Sequence, residues 1–130
     1  LNRITHPIVY NGDINDPLRF AHLAQKFPSV SGWMLGRGLI ANPFLPEMIK
    51  GPQPSSAHRM SRFRNFHDDL VENYSRLFSG PGHVLDRMKG FWRYFAEGFA
   101  GDHRILKQVR KSDSLTRYQR IVAAYFDGRL

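Results

Sequence analysis

Two stretches decide the fold: PIVYNGDI at residues 7–14 and GWMLGRGLIANP at residues 32–43. Each begins with a short apolar run, typical of a buried strand, and continues into a turn that contains glycine. Asp16 followed by Pro17 predicts the start of a helix between the two strands, and this helix should end before Pro28. A strand, a helix and a second strand predict a βαβ unit with parallel strands and a right-handed crossover.

The predicted βαβ unit is incomplete by itself. A further helical turn or two is predicted over residues 43–49, but only two strands are present. Parallel sheets are normally covered on both faces, and two strands do not make a stable one. We therefore expect the first half to need strands from outside this chain, as a piece of a longer protein would. The residues at helical spacing in the first predicted helix are Leu18, Ala21, His22 and Gln25.

The sequence after residue 50 changes character. Residues 51–56, GPQPSS, are rich in residues that interrupt regular structure and predict a linker. Three or four amphipathic helices are predicted beyond it, the last capped within Ser112-Asp113-Ser114, and short turns between them indicate a small bundle. Their apolar stripes are Met60, Phe63, Phe66, His67, Leu70, Tyr74 and Leu77; Val84, Leu85, Met88, Phe91, Trp92, Phe95 and Phe99; Ile105, Leu106 and Val109; and Leu115, Tyr118, Ile121, Val122 and Tyr125.

Composition limits the classes of function. The chain has 130 residues, a formal net charge of +8 and no cysteine. Residues 56–130 hold fourteen Lys and Arg against eight Asp and Glu, so most of the positive charge lies in the second half, which points to a polyanionic partner. The lack of cysteine excludes disulfides, thiolate metal sites and cysteine nucleophiles in this chain. The six histidines are scattered, so no metal site is predicted, and no apolar run is long enough to predict a membrane span.

Two glycine-containing motifs follow the two predicted strands. Asn11-Gly12-Asp13 comes after the first strand, and Gly36-Arg37-Gly38 comes after the second. Both fall at the carboxyl ends of parallel strands, where barrel enzymes place their sites. Glycines allow backbone N–H groups to approach a phosphate, a helix N-terminus adds its dipole, and Arg37 can add a charge-assisted contact. Each motif alone is a common turn, but two of them about one strand–helix repeat apart predict a phosphate site.

These motifs resemble the last two strands of the tRNA-dihydrouridine synthase barrel. The family pattern is an apolar strand, Asn-Gly-Asp-Ile, a helix, a second apolar strand, Gly-Arg-Gly and then Asn-Pro. The segment HVLDRMKGFWRYF at residues 83–95 is similar to the basic and aromatic helix of the family's helical tRNA-binding domain. The resemblance implies three parts: a carboxyl-terminal piece of an FMN-binding (β/α)₈ TIM barrel at residues 1–50, the linker at 51–56, and an all-α tRNA-binding bundle at 57–130.

The resemblance also implies an activity and a set of binding residues. The family consists of cytoplasmic flavoprotein oxidoreductases that reduce uridine to dihydrouridine in tRNA, with hydride from reduced FMN, a proton from a cysteine, and NADPH as electron donor. The implied cofactor-binding residues are Asn11, Gly12, Asp13, Gly36, Arg37 and Gly38. A carboxylate is unfavourable beside a phosphate, so we expect Asp13 to brace the loop or Arg37. No catalytic residue is assigned, because the chain has no cysteine, and we expect it to be inactive by itself.

Basic side chains interleave with the apolar stripes of the second half. On exposed helix faces such residues suit phosphate contacts, which position RNA without reading its sequence. The predicted RNA-binding residues are Arg59, Arg62, Arg87, Lys89 and Arg93, of which the last three lie in the family-like segment. Trp92, Phe91, Phe95 and Phe99 keep helical period and are interpreted as core rather than as base-stacking groups.

Two other functions are left open by the residues. One is a stand-alone RNA-binding helical module without catalysis, in which the barrel-like half is only a scaffold. The other is a different FMN-dependent TIM-barrel oxidoreductase that acts on a small molecule. The long basic helical half counts against the second, because a small substrate needs no such surface.

Overall fold

A computed structural model describes residues 4–52 and 55–130 of the chain, without the side chains of residues 99 and 100. The chain forms two compact units, Leu1–Gln53 and Pro54–Leu130. The described structure is mostly helical, with a single two-stranded parallel sheet in the first unit. Residues 53 and 54, which belong to the predicted linker, lie outside the described residues.

The first unit alternates short strands and helices. Its elements are β1 (Val9–Asn11), α1 (Pro17–Lys26), β2 (Gly32–Met34), α2 (Arg37–Ala41) and α3 (Leu45–Lys50). The Asp16 side chain accepts a hydrogen bond from the Arg19 backbone N–H at 2.8 Å, so the predicted cap at the start of α1 is confirmed. Helix α1 ends at Lys26, before Pro28, also as expected.

The two strands pair in parallel, as the sequence predicted. Asn11 lies opposite Met34 at the carboxyl ends of the strands, so the loops that follow β1 and β2 leave the same edge of the sheet. On one face of the sheet the Tyr10 ring contacts the Trp33 ring at 5.3 Å and the Phe27 ring at 5.5 Å between centroids. These contacts connect both strands to the end of α1. Whether these strands belong to a closed barrel stays a prediction.

The first unit buries few apolar side chains. Its buried hydrophobic residues are Ile14, Leu23, Phe44 and Leu45. The stripe predicted for α1 is wrong: Leu18 is 83% exposed, and Leu23 is the residue that the helix buries. Helical spacing shows which residues share a face of a helix but not which face is buried. The buried face of α1 is set mainly by its packing on α3, and the sequence motifs did not give the position of α3.

In the second unit, residues 55–130 form four helices that pack on one another. They are α4 (Ser56–Leu77), α5 (Pro81–Phe95), α6 (His103–Lys111) and α7 (Leu115–Phe126), with a π-helical segment, Ala96–Ala100, continuing α5. Helix α4 begins at Ser56, inside the predicted linker, because Ser55 caps it by accepting a hydrogen bond from the His58 N–H. Gly101, with φ of +58°, ends the π-helical segment in the left-handed conformation that glycine adopts most readily.

The core of the second unit is dense and aromatic. Trp92 and Phe63 are fully buried and pack edge to face, and Phe95 contacts both. The stripes predicted for α5 and α6 are largely confirmed, although Phe91 is half-buried and the side chain of Phe99 lies outside the described residues. On α4 the buried residues are Phe63, His67 and Val71, whereas Leu77 is 74% exposed. The sequence pattern therefore predicted the helix correctly but assigned too many residues to its buried face.

Candidate functional site

The loops that follow β1 and β2 enclose one cavity. Its volume is about 400 Å³, and it is lined by Asn11, Gly12, Asp13, Ile14, Asn15, Gly36, Arg37 and Gly38. All six residues predicted to bind a cofactor are in this lining, although the motifs lie about 25 residues apart in sequence. Parallel pairing in the observed register accounts for this convergence, since it carries both loops to the same sheet edge.

An ion pair joins the two motifs across the cavity. The Arg37 guanidinium donates through Nη2 to Asp13 Oδ1 at 2.7 Å. The two side chains are 73% and 69% exposed, so the pair is solvent-screened and contributes little to stability. Its effect is geometric, because it restricts an otherwise mobile guanidinium while leaving its remaining N–H groups available. The contact expected between Asp13 and Arg37 is thus present.

Asp13 occupies an uncommon backbone conformation. Its φ is +37°, in the left-handed region that few residues other than glycine adopt. Such conformations cost free energy and persist where the surrounding structure enforces them, often at binding loops. Here the conformation turns the carboxylate toward Arg37 on the neighbouring loop.

Gly38 allows the two loops to approach closely. A Cβ atom at this position would stand 2.1 Å from the Ile14 carbonyl oxygen, which is a backbone atom and cannot move away cheaply. Gly38 is itself buried, and Ile14 is only 3% exposed. Glycine is therefore required here for packing between α2 and the loop after β1, which sets the shape of the cavity.

The sequence prediction treated Gly36-Arg37-Gly38 as a loop, and this was wrong in part. Arg37 is the first residue of α2, and the Leu39 N–H already donates to the Gly36 carbonyl oxygen. The first amides of a helix have no carbonyl partner within the helix, so the N–H groups of Arg37 and Gly38 lack one here. A five-residue helix is too short for its apolar period to be recognised in a sequence.

The residues predicted to bind RNA are not equally available. Arg87 and Arg93 are exposed on α5, whereas Arg59, Arg62 and Lys89 are half-buried. Lys89 Nζ donates to the Ser112 carbonyl oxygen at 2.5 Å, so this ammonium group caps the carboxyl end of α6, where a positive charge also complements the helix dipole. The expectation that all five lie on exposed faces is wrong, and Lys89 has a structural contact instead.

A buried chain of hydrogen bonds crosses the second unit and was not predicted. Trp92 Nε1–H donates to the Tyr118 hydroxyl at 2.7 Å, and the Tyr118 hydroxyl in turn donates to His67 Nε2 at 2.6 Å. A neutral His67 with its proton on Nδ1 completes the chain by donating to Asp68 Oδ1 at 2.9 Å. Burial lowers the pKa of His67 below its ordinary value, and the neighbouring Asp68 opposes that shift only in part.

A second cavity lies beside this chain of hydrogen bonds, between α4 and α7. Its volume is about 480 Å³, and its lining includes His67, Asp68, Glu72, Val122 and Phe126. Arg64 at its edge donates to Asp127 Oδ1 at 2.8 Å and lies over the Phe126 ring. No sequence signal could have located this groove, because its two walls are contributed by helices about 50 residues apart.

Two other kinds of site were searched for within residues 4–52 and 55–130. No group of three or more His, Cys, Asp and Glu side chains in this part of the chain could hold a metal ion. Among the described helices, none is both long and apolar enough to cross a membrane.

Comparisons with known proteins agree with the motif resemblance. The chain is 30% identical over 125 residues to the probable tRNA-dihydrouridine synthase 2 of Bacillus subtilis, a match that covers 93% of this chain and 37% of that protein. It is 25% identical over 123 residues to a probable tRNA-dihydrouridine synthase of Staphylococcus epidermidis, covering 95% of this chain and 36% of the relative. A probable tRNA-dihydrouridine synthase of Staphylococcus aureus matches 83% of the chain at 25% identity. No family model matches the chain.

The chain thus spans only about a third of the length of these curated relatives. Within that third, the similarity runs through nearly the whole chain and includes both units. The resemblance inferred from the strand-end motifs is confirmed: over nearly its whole length, this chain is similar to part of the curated tRNA-dihydrouridine synthases.

Proposed function

We propose that this chain is part of an FMN-dependent tRNA-dihydrouridine synthase, with NADPH as the source of electrons. In this proposal the first unit contributes to the site of the FMN phosphate, and the second unit contributes to tRNA binding. One observation carries the cofactor part: the two strand-end motifs meet around a single cavity that contains Arg37.

The residues of this cavity fit a phosphate group. Arg37 offers a guanidinium whose charge and planar N–H groups suit phosphate oxygens, and the first amides of α2 have no carbonyl partner within their own helix. Gly38 permits the close packing that brings these donors beside the loop after β1. Asp13 opposes an anion electrostatically, but its hydrogen bond to Arg37 holds the guanidinium at the cavity.

The roles of the chain's own residues are binding and orientation. When bound, FMN supplies the hydride that reduces the C5–C6 double bond of uridine. Arg37 would hold the phosphate, Gly36 would leave room for it, Gly38 would keep the two loops close together, and Asp13 would restrain Arg37. The sequence contains no cysteine, so the proton donor expected for this family is not supplied by this chain.

The charge of the second unit supports a nucleic-acid partner. Its excess of Lys and Arg lies largely on helix faces, and Arg87 and Arg93 are exposed on α5. Such residues contact phosphates and give binding that weakens with salt. Because Lys89 caps α6, we assign the RNA contacts of α5 to Arg87 and Arg93 rather than to Lys89.

The first test is the visible absorption spectrum of the complete gene product that carries this chain. We expect flavin bands, and Arg37→Ala should weaken FMN binding by about tenfold to a hundredfold, the range for losing a charge-assisted hydrogen bond. Arg19→Ala is the matched control, since Arg19 is an exposed arginine on α1 outside the cavity.

The outcomes separate the cofactor site from the family activity. Equal FMN affinity of the parent and Arg37→Ala would remove Arg37 from the site. A gene product that neither contains nor binds FMN would contradict the enzymatic proposal and favour an RNA-binding module without catalysis. Reduction of uridine in a tRNA substrate by the FMN-loaded protein and NADPH would establish the activity.

A further inference from the structure

Three side chains form a cluster at the end of α4 and on the facing part of α5. The rings of Tyr74 and Phe78 are stacked, with centroids 5.3 Å apart and planes 20° apart. The Arg87 guanidinium carbon lies 5.7 Å from each ring centroid, over both rings. Phe91 supports the cluster from α5 through a contact with Tyr74 at 5.9 Å. We call Tyr74, Phe78 and Arg87 the Arg87 platform.

The platform is open to solvent on the side of its charge. Arg87 is exposed, the two rings are half-buried, and Leu77 beside them is 74% exposed. Arginines elsewhere in the described chain bind carboxylates, as Arg64 does with Asp127 and Arg104 does with Asp102. No ion pair joins Arg87 to a carboxylate among residues 4–52 and 55–130, so its charge is not neutralised there.

This combination suits a particular ligand chemistry. A planar guanidinium held beside aromatic rings can stack with a further planar group. Unpaired RNA bases stack on aromatic rings and on guanidinium planes, and the uncompensated charge attracts the neighbouring phosphates. An aliphatic partner would use neither the planarity nor the charge, and an acidic protein partner would use the charge but not the planarity.

We propose that the Arg87 platform stacks an unpaired base of a bound RNA, as a contact distinct from the phosphate contacts of the basic helix faces. This inference rests on the proposed function, in which the second unit binds tRNA. It adds that binding depends on a base at this point, and that an arginine is needed there rather than any positive charge.

The test separates stacking from charge. The complete gene product is titrated with fluorescently labelled oligoadenylate and with an abasic ribose-phosphate oligomer of the same length, which carries the same charge without bases. We expect the parent protein to prefer the oligoadenylate by about fivefold or more, the lower range for stacking of one base. Arg87→Lys keeps the charge but loses the planar group, so its affinity for the oligoadenylate should fall to about its affinity for the abasic oligomer, and the preference for bases should be lost.

The control variant is Arg120→Lys, because Arg120 is exposed on α7 and lies outside the platform. It should keep the base preference of the parent. Thermal unfolding of each variant shows whether Arg87 acts only through packing, since a purely structural role would lower the melting temperature and leave the base preference unchanged.

Two results would overturn the platform: equal binding of both oligomers by the parent, or an unchanged base preference in Arg87→Lys. Either can occur while the protein still binds FMN and reduces tRNA, so the proposed function would stand. Failure of FMN binding and tRNA reduction contradicts the proposed function separately, because the oligomer preference is a binding measurement that needs neither hydride transfer nor NADPH.

Discussion

The two units of this chain differ in how completely they bury their apolar side chains. The second unit closes a core around fully buried side chains from all four helices, such as Phe63, Trp92, Ile105 and Tyr118. The first unit leaves Leu18 83%, Val9 61% and Met34 56% exposed, although two of these lie in its parallel sheet. Parallel sheets are normally covered on both faces. The described first unit therefore has the apolar residues of a buried sheet, but no further elements cover them there.

This difference has a counterpart in the sites. In the second unit polar groups are buried inside the core and satisfied by one another, as in the chain from Trp92 through Tyr118 to His67. In the first unit the polar groups of the candidate site, Asp13 and Arg37, lie on exposed loops and are positioned by backbone packing. We therefore expect core substitutions to affect the second unit most, and backbone-directed substitutions to affect the first.

The largest expected effect is that of removing the central ring of the second unit. Trp92→Ala should lower the free energy of unfolding by about 3–5 kcal/mol, since it opens a cavity and leaves the Tyr118 hydroxyl without its donor. Leu18→Ala, the comparable change at an exposed apolar residue of the first unit, should change it by less than about 0.5 kcal/mol. Urea unfolding of the 130-residue chain measures both. Similar losses for the two variants would contradict the contrast between the units.

Two glycine substitutions should act in opposite directions. Gly38→Ala forces a Cβ against the Ile14 carbonyl oxygen and should destabilise the first unit by about 1–3 kcal/mol. Gly90→Ala, at an open position within α5, should stabilise the second unit by about 0.5–1 kcal/mol, since alanine favours the helix. Hydrogen–deuterium exchange resolved by peptide reports the two units separately. Normal protection around Ile14 in Gly38→Ala would show that the loops tolerate a Cβ.

The buried His67 should make the second unit sensitive to acid. Its pKa in the folded state is lowered by burial, so the unfolded state binds the proton more readily, and stability falls as the pH drops through and below the ordinary histidine pKa. For one proton the slope is at most about 1.4 kcal/mol per pH unit. Urea unfolding between about pH 7.5 and pH 5.5 should show this loss, and His67→Gln should reduce it. An equal slope in the variant would assign the pH dependence to other groups.

The smallest expected effects come from two matching helix caps. Ser114 Oγ accepts a hydrogen bond from the Arg117 N–H at 3.3 Å, as Asp16 does from the Arg19 N–H at 2.8 Å. Ser114→Ala should cost about 1 kcal/mol in global unfolding, because α7 is part of the second core. Asp16→Ala should cause only local fraying of α1, where a single residue is buried. A global loss in Asp16→Ala would show that α1 is coupled to the rest more tightly than its burial indicates.

Much of the fold could be predicted from local signals. Asp16 with Pro17, the glycines near residue 80, and Ser114 mark helix ends through their own backbone preferences, and the apolar period gave α4 to α7. The buried face was less certain: Phe66 and Leu77 share the period of α4 but are exposed, whereas Val71 is buried. Periodicity gives a stripe, but the partner helices decide how much of it is covered.

For the candidate site, too, some features follow from the local sequence and others only from the packing of whole elements. The sequence by itself determined the parallel order of the strands, the position of both motifs at strand ends and the excess of positive charge in the second half, because these depend on local residue types and on their order. The tertiary structure alone decided that Lys89 caps α6 and that His67 meets Tyr118, and it decided that Asp13, expected to brace the loop or Arg37, contacts Arg37. These pairs are 23, 51 and 24 residues apart. Local sequence fixes backbone hydrogen bonds within a few residues, whereas contacts across such separations exist only where the packing of whole elements brings the side chains together.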